Sequence, residues 1–556
     1  MPTLEWIGKE KVINHHQDVP FRVLERKYSY DENGQHDEDN GSENMIIRGD
    51  NLEALKALLP KYEGNVDCIY IDPPYNTGEE KWVYNDNVND PKIRKWLGEV
   101  VGKEGEDLSR HDKWLCMMYP RLKLLQKLLS NDGVIFISIG VDEVTSLKFL
   151  CNEIFGSSNF LGMVVRRAKT TSFRGNYFAP RVDYVLAYAK NKSLVKKFRD
   201  DVDTSQYTKV ETDGERKGEL YGDDTAFYLS TLETRPNQRY YIECPDGELV
   251  VPPGTTFPSI TEDGAKAIPN DGDGVWRWEV EQYKTKKIYL SFKKTSSSPL
   301  LNSDGKKAKW NIYTKIYLND KLNDANIPTE LLLEYINRQG TKELDKLGLS
   351  FDFPKPSALI AQLIKYLDRK KNIIVLDSFA GSGPTAHAVL DLNNSDKYNR
   401  KFILVEMMDY AESLTAERVK RVINGYGEGK NAVKGTGGNF SFYELGDTLL
   451  LPNGNLNEVV GEAKIRDYIW YTETKEPMTD AVSTDEPYCL GTSRDTAYYF
   501  YYKKDEITTL DYDFLSTVKT KAAGYIIYAD LCTISDEELK KWNITFKKIP
   551  RDIAKV

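Results

Sequence analysis

The sequence is short of the residues that metal and covalent chemistry use. Among its 556 residues there are only five histidines, and the six cysteines (Cys68, Cys116, Cys151, Cys244, Cys489, Cys532) are scattered, with no two at a metal-ligand or redox spacing. A zinc centre or a histidine-based triad is a poor fit to such a chain, and no metal is expected. It also lacks an uninterrupted apolar span and a charged-then-apolar leader at Met1, so no membrane partner is expected and the cytosol is the expected compartment. No GxxxxGK[ST] occurs, so any ATP-driven work falls to another polypeptide.

What the chain does have is length, with 40% hydrophobic and 29% charged residues, the ordinary mix of a globular protein. That size implies two to four domains or sub-domains with sizeable cores. The net charge of −9 hides blocks of opposite sign: residues 161 to 200 carry ten Lys/Arg against two Asp, residues 281 to 320 nine against three acids, and residues 431 to 556 fifteen against twenty. A polyanion would therefore be gripped by the middle of the chain.

Along the chain, "MIIRGDNLEALKALLP" reads as a strand, a turn and a helix; "VDCIYI" as a second strand; "WLCMMYPRLKLLQKLLSNDG" as an amphipathic helix ending at Asp132-Gly133; and "GVIFISIG" as a strand buried on both faces. Such alternation implies a parallel sheet, hence an α/β fold. It stops after "VDYVLAYAK", gives way to a polar, aromatic, Gly/Pro-rich insert, and resumes at "IAQLIKYLDRKKNIIVLDSFAGSGPTAHAVL" and "KFILVEM". The expected organisation is an N-terminal arm (1–44), the first half of the sheet domain (45–195), a mixed α+β insert (196–348), the second half (349–437) and a C-terminal α+β segment (438–556).

Two loops carry the chemistry. In "IDPPYNTG" the acid Asp72 and the Pro73 carbonyl can accept both N–H protons of an exocyclic amine, and the rings of Pro73 and Pro74 fix the carbonyl's direction. Accepting both protons favours a pyramidal nitrogen with an available lone pair. Tyr75 offers a face for a base extruded from a duplex. In "LDSFAGSGPTAHA", Gly381 and Gly383 permit close backbone approach at a helix start. Asp377 at the strand end would repel a pyrophosphate but suit a cationic or amino-acid ligand, and Glu406, ending the next strand, is placed for a ribose diol. These features favour S-adenosylmethionine over a nicotinamide dinucleotide, whose oxidoreductases remain the rival class. Both loops lie at strand carboxyl ends, so they can face one crevice. Asp50 can reach the cofactor or cap the helix that follows.

These pieces, with "FPKP" (Phe353 to Pro356), "RGDNLEAL" and "DGVIFISI", resemble the amino-methyltransferases of DNA in which "DPPY" precedes an "FxGxG" cofactor motif. The resemblance covers roughly residues 45 to 190 and 350 to 410. It implies a Rossmann-like, S-adenosylmethionine-dependent methyltransferase fold interrupted by a target recognition domain, and methylation of adenine N6. It implies Asp72, Pro73, Pro74 and Tyr75 as catalytic, and Asp50, Asn51, Asp72, Lys355, Ser357, Asp377, Phe379, Gly381, Ser382, Gly383, Thr385 and Glu406 as the cofactor pocket, with Lys355 and Ser357 at its methionine end. Further pieces ("LEWIGKEKVINHH", "RPNQRYY", "FKKIPRDI") look like the modification subunit of type III restriction-modification systems, implying a homodimer on double-stranded DNA to which a restriction subunit docks. A solitary adenine methyltransferase is the rival of the same chemistry. The sequence departs from the family at Pro384, where Thr is usual, and at Arg181-Val182-Asp183, where a His-Glu pair is common.

For DNA contact, Arg166, Arg167, Lys169 and Arg174, interspersed with Thr, Ser and Gly, have the composition of a phosphate-tracking loop. Lys284, Lys286 and Lys287 mark the insert as DNA-facing, with Trp276, Trp278 and Tyr283 read as core.

Overall fold

A computed structural model describes residues 4–77, 107–172, 177–200, 202–230, 235–323, 327–367, 372–478 and 485–551. The chain forms two compact units, one of residues 1–198 and 329–556 and one of residues 199–328.

The large unit is built on one eleven-stranded sheet. Its strands are β1 (Arg22–Asp31), β2 (Gly34–His36), β3 (Met45–Arg48), β4 (Val66–Ile71), β5 (Leu129–Ile139), β6 (Phe160–Arg167), β7 (Val182–Ala189), β8 (Leu331–Leu332), β9 (Ile374–Asp377), β10 (Lys401–Glu406) and β11 (Phe440–Thr448). Their spatial order is β8-β6-β7-β5-β4-β9-β10-β3-β11-β1-β2. From β5 through β11 every pairing is parallel, while β7 runs antiparallel between β5 and β6. The central strands are near-continuous apolar runs because helices cover both faces. Cys68, Ile69, Ile71, Val375, Leu376, Ile403 and Leu404 are all fully buried.

On one face α1 (Asn51–Tyr62) and α2 (Asp107–Leu128) contribute Leu52, Leu55, Leu58, Leu59, Leu122 and Leu125 to a core over Ile69 and Ile71. On the other face α3 (Asn337–Leu347), α4 (Ser357–Lys365), α5 (Pro384–Asp396) and α6 (Glu417–Asn424) pack Leu344, Leu359, Ile360, Val389 and Val422 over Cys68 and Val375. This three-layer arrangement is Rossmann-like, as the alternation predicts. The chain winds from β3 through β4 to β5 in one direction and from β9 to β10 in the other. The order therefore reverses between β4 and β9, where Cys68 pairs with Val375 and Ile69 with Leu376. Both chemistry-bearing loops leave this switch point side by side.

The structure draws several boundaries differently. α2 ends at Leu128, and Asp132-Gly133, expected to end that helix, lies within β5. The pairing with β4 jumps from Val66–Leu129 to Cys68–Val134, so residues 130–133 loop out of register as an irregularity that re-aims the strand. The N-terminal arm is joined to the central sheet: β1 pairs antiparallel with β11, and Tyr28 stacks on Phe442 with centroids 5.1 Å apart. β11, expected in the C-terminal segment, pairs parallel with β3 and extends the central sheet. Residues 329–348, expected in the insert, also join the large unit, with β8 pairing with β6 and α3 packing in the core.

Beyond β11, strands Cys489–Ser493, Thr496–Phe500, Gly524–Ala529 and Ile544–Lys548 form a separate sheet beside helix Glu462–Thr474. The 199–328 unit holds a four-stranded antiparallel sheet whose longest strand is Trp310–Tyr317, together with helix Val280–Lys286. Its core is aromatic, with Trp276 and Tyr283 buried against Phe227 and Tyr240. That agrees with reading those aromatics as interior.

Candidate active site

β4 ends in the apolar triplet Ile69-Tyr70-Ile71, so Asp72 is the first residue clear of the sheet. Pro73 and Pro74 then fix φ through the turn, and neither can donate to a ladder, which stops pairing there. Trp114 of α2, fully buried, donates from Nε1 to the Pro74 carbonyl at 2.7 Å. Asn76 takes a left-handed conformation, φ 58°, and its side chain donates to the carboxylate of buried Glu143, which also contacts His111 Nδ1 at 2.5 Å. The loop is clamped on both sides of Tyr75. Gly78 of the motif lies outside the described residues.

Tyr75 is oriented from a third direction. Its hydroxyl donates to Asp183 Oδ2 at 3.2 Å. Asp183, at the start of β7, also receives Arg166 through Nε at 2.7 Å and through Nη2. Arg166 further donates to the Tyr335 carbonyl at 2.6 Å and to Asn337 Oδ1 at 2.7 Å. Burial pushes the Tyr75 phenol well above its ordinary range, keeping it a donor. Gly140, just past β5, faces the ring: a Cβ there would stand 2.9 Å from Tyr75 Cδ2.

Asp72 itself is joined to Lys355, whose Nζ lies 2.8 and 2.7 Å from its two oxygens and 4.7 Å from the centre of the Tyr75 ring. Lys355 therefore stands at the loop that ends β4, between the Asp72 carboxylate and the Tyr75 ring. Ser357, two residues on, starts α4 and donates its N–H to Glu343 at 3.0 Å.

The second loop follows β9. Gly381 and Gly383 have φ 51° and 77°, the left-handed region glycine tolerates, and Pro384 opens α5, where a missing N–H costs nothing. Asp377 accepts from Phe379 N–H at 3.0 Å and Thr385 Oγ1 at 2.5 Å; Thr385 thus secures the turn from within. Glu406 accepts from Gly381 N–H at 2.8 Å and Met408 N–H at 3.0 Å. Burial raises Asp377 to about 7 and Glu406 to about 7. Asp50 caps α1, accepting from Leu52 and Glu53 N–H, and buried Asn51 donates to the Ser378 carbonyl at 3.2 Å while receiving Arg121. Arg418 donates to Ser382 Oγ at 3.2 Å.

A methyl donor with a ribose and an amino-acid tail fits this loop on the chain's own evidence. Two buried carboxyls, a glycine turn and the buried, unpartnered Ser378 Oγ converge there, offering acceptors to hydroxyls and an ammonium and close backbone approach to the rest.

The basic residues separate into kinds. Arg166 is fully buried and bonded to Asp183, so it is a core strut and not the phosphate contact expected of it. The charge run mixes one inward position of β6 with outward ones, as strand alternation requires. Arg167 is half-buried and Lys169 exposed, while Arg174 lies outside the described residues. In the 199–328 unit Lys284 and Lys286 are exposed, and Lys287 is paired with Asp263 at 3.0 Å. Sequence reasoning missed Trp114, Gly140 and Glu143, and met Asp183 only as a departure from the family. Only Asp183 left a signal, an acid second in an otherwise apolar strand.

A family model described as DNA methylase matches residues 66–417, spanning both loops and the insert between them, and the chain belongs to that family. Among its relatives, the Mod subunit of the type III restriction-modification enzyme EcoPI from Escherichia phage P1 is 33% identical over 434 residues, covering 73% of this chain and 63% of that one. The EcoP15I Mod subunit from Escherichia coli is 30% identical, covering 73% and 64%. The type II methyltransferase M.KpnI from Klebsiella pneumoniae is 33% identical, covering 65% and 80%. The chain spans a little under two thirds of the length of the two Mod relatives.

Proposed function

We propose that this chain transfers the methyl group of S-adenosylmethionine to N6 of an adenine extruded from double-stranded DNA, as the modification and recognition subunit of a type III restriction-modification system. One observation carries the reading: an acid, a fixed carbonyl and an aromatic ring at the end of β4 stand beside the glycine turn at the end of β9, at the reversal of strand order. The names of the Mod relatives support the type III part; a homodimer and a docking restriction subunit are what that reading implies.

Bound at the second loop by Gly381, Gly383, Asp377 and Glu406, the cofactor would supply a methyl group already activated on a sulfonium. The chain's residues prepare the amine. Asp72 and the Pro73 carbonyl accept the two N6 protons, which draws the nitrogen lone pair out of the ring's π system, and Asp72 takes the proton released from N6. Tyr75 stacks the extruded adenine, its ring held by Asp183 and by contact at Gly140. The 199–328 unit, with exposed Lys284 and Lys286, is proposed to read the sequence, and Arg167 and Lys169 to contact phosphates.

A modified-base map of DNA from cells expressing the chain tests this. We expect N6-methyladenine at one recurring sequence, absent with Asp72→Ala, while that variant binds S-adenosylhomocysteine within a few-fold of wild type. A map showing methylated cytosine, or none, refutes the reading; equal loss of methylation and cofactor binding reassigns Asp72 to holding the cofactor.

A further inference from the structure

The side chain most intimately placed against the amine-binding groups is a cation of the chain itself. Lys355 Nζ donates to both oxygens of Asp72 and lies 4.7 Å from the Tyr75 ring centre. Those are the same acceptor and the same aromatic face that the proposed adenine requires. An ammonium is the stronger claimant for both. Its hydrogen bonds to a carboxylate are charge-assisted, and it is drawn to the ring face by the quadrupole, whereas a neutral amine has only ordinary hydrogen bonds and the stacking of its ring.

The backbone beneath Lys355 is held in place. Pro354 and Pro356 flank it and fix their own φ, and Gly340 of α3 lies so close that a Cβ there would meet the Pro354 carbonyl at 2.5 Å and the Lys355 carbonyl at 2.9 Å. With the main chain pinned, Nζ can leave Asp72 only by rotation about the side chain's own bonds. The side chain is 6% exposed, so the ammonium does not drift off into solvent while keeping its place in the packing.

We propose that Lys355 is a resident competitor for the seat of the target amine: its ammonium holds Asp72 and the Tyr75 face, and an extruded adenine must displace it to become a substrate. The inference rests on the proposed adenine methylation and adds a threshold to it. A base that merely breathes out of the duplex does not displace a charge-assisted pair. A base extruded by a fully engaged recognition interface does, because that interface supplies the difference in free energy. Lys355 then serves specificity rather than holding the cofactor.

The experiment uses the full chain and a duplex in which 2-aminopurine replaces the base next to the adenine identified by the base map, so that the target keeps its N6 amine and its departure from the stack brightens its neighbour. Lys355→Met removes the ammonium at similar length, Lys355→Gln keeps a hydrogen bond to Asp72 without the charge, and thermal unfolding checks that each is folded. The expected order of 2-aminopurine fluorescence is Met above Gln above wild type. A gain of about tenfold in the docked-base equilibrium for Met corresponds to losing one charge-assisted contact. The methylation ratio between the target and a site altered by one base pair is expected to fall in the same order. If only one variant folds, its rank against wild type decides. Fluorescence in a folded variant equal to or below wild type, with an unchanged ratio, overturns the competitor role and leaves the methylation reading standing. A wild-type chain that neither methylates nor brightens the probe overturns both.

Discussion

The buried pair behind Tyr75 allows the sharpest test, because it separates stability from chemistry. Arg166 is fully buried and Asp183 nearly so, and Arg166 donates to Asp183, the Tyr335 carbonyl and Asn337. Asp183→Ala leaves a buried guanidinium with no counter-charge, a change that costs about 3–5 kcal/mol. The same substitution removes the acceptor of the Tyr75 hydroxyl at 3.2 Å. A hydrogen bond to a charged group contributes about 1.5–3 kcal/mol. If that contribution is expressed in orienting the ring, its loss slows methyl transfer about ten- to a hundredfold. Replacing both partners, Arg166→Met with Asp183→Leu, removes the uncompensated charge, and such exchanges are often neutral or stabilising. The double variant should therefore regain most of the stability lost by Asp183→Ala yet remain slow. Urea denaturation followed by fluorescence gives the first quantity, and single-turnover methylation of the mapped target gives the second. A single variant that loses less than about 1 kcal/mol, or a double variant that recovers stability and rate together, refutes the assignment of Asp183 to Tyr75.

Two further predictions follow from the same crevice. Gly140→Ala places a methyl 2.9 Å from Tyr75 Cδ2, against a ring that Asp183 prevents from yielding freely. We expect kcat to fall with cofactor affinity unchanged, and an unchanged kcat would show that the ring has room to move. Asp377 and Glu406 are raised by burial to about 7, so the folded chain holds both protons more tightly than the unfolded one, whose carboxyls titrate near about pH 4. Their contribution to stability is complete below that pH and is lost as pH rises through about 7. A ligand whose hydroxyls and ammonium need the ionised forms must expel these protons, so S-adenosylhomocysteine should bind more tightly at pH 8 than at pH 6, with net proton release. Calorimetry in two buffers of different ionisation enthalpy measures it, and a flat affinity with no proton exchange counts against both carboxyls as ligand acceptors.

How legible these features were depends on whether they are written along the chain or across it. The apolar runs of β4, β5, β9 and β10 announce a sheet buried on both faces, and the loops ending β4 and β9 carry residues too costly for mere turns, so their meeting at a strand reversal was foreseeable. The edges of the sheet were not. β1 and β11 lie some four hundred residues apart, and nothing local in "RVLERKYSYD" says that its partner is "FSFYELGDT" rather than a strand of a separate arm. The misreading of Arg166 has the same root. A run of cations reads as one solvated loop, but on a strand successive side chains face opposite sides, so Arg166 turns inward where Arg167 does not. A buried guanidinium then requires a carboxylate. That carboxylate is Asp183, and it also bonds Tyr75 of the loop that ends β4. What looked from the sequence like a departure from the family is the residue that bonds the Tyr75 ring, the ring proposed to stack the base. Because Tyr335 and Asn337, the other acceptors of Arg166, follow the return of the chain from the 199–328 unit, the strut that orients the ring is anchored in the segment through which that unit rejoins the sheet.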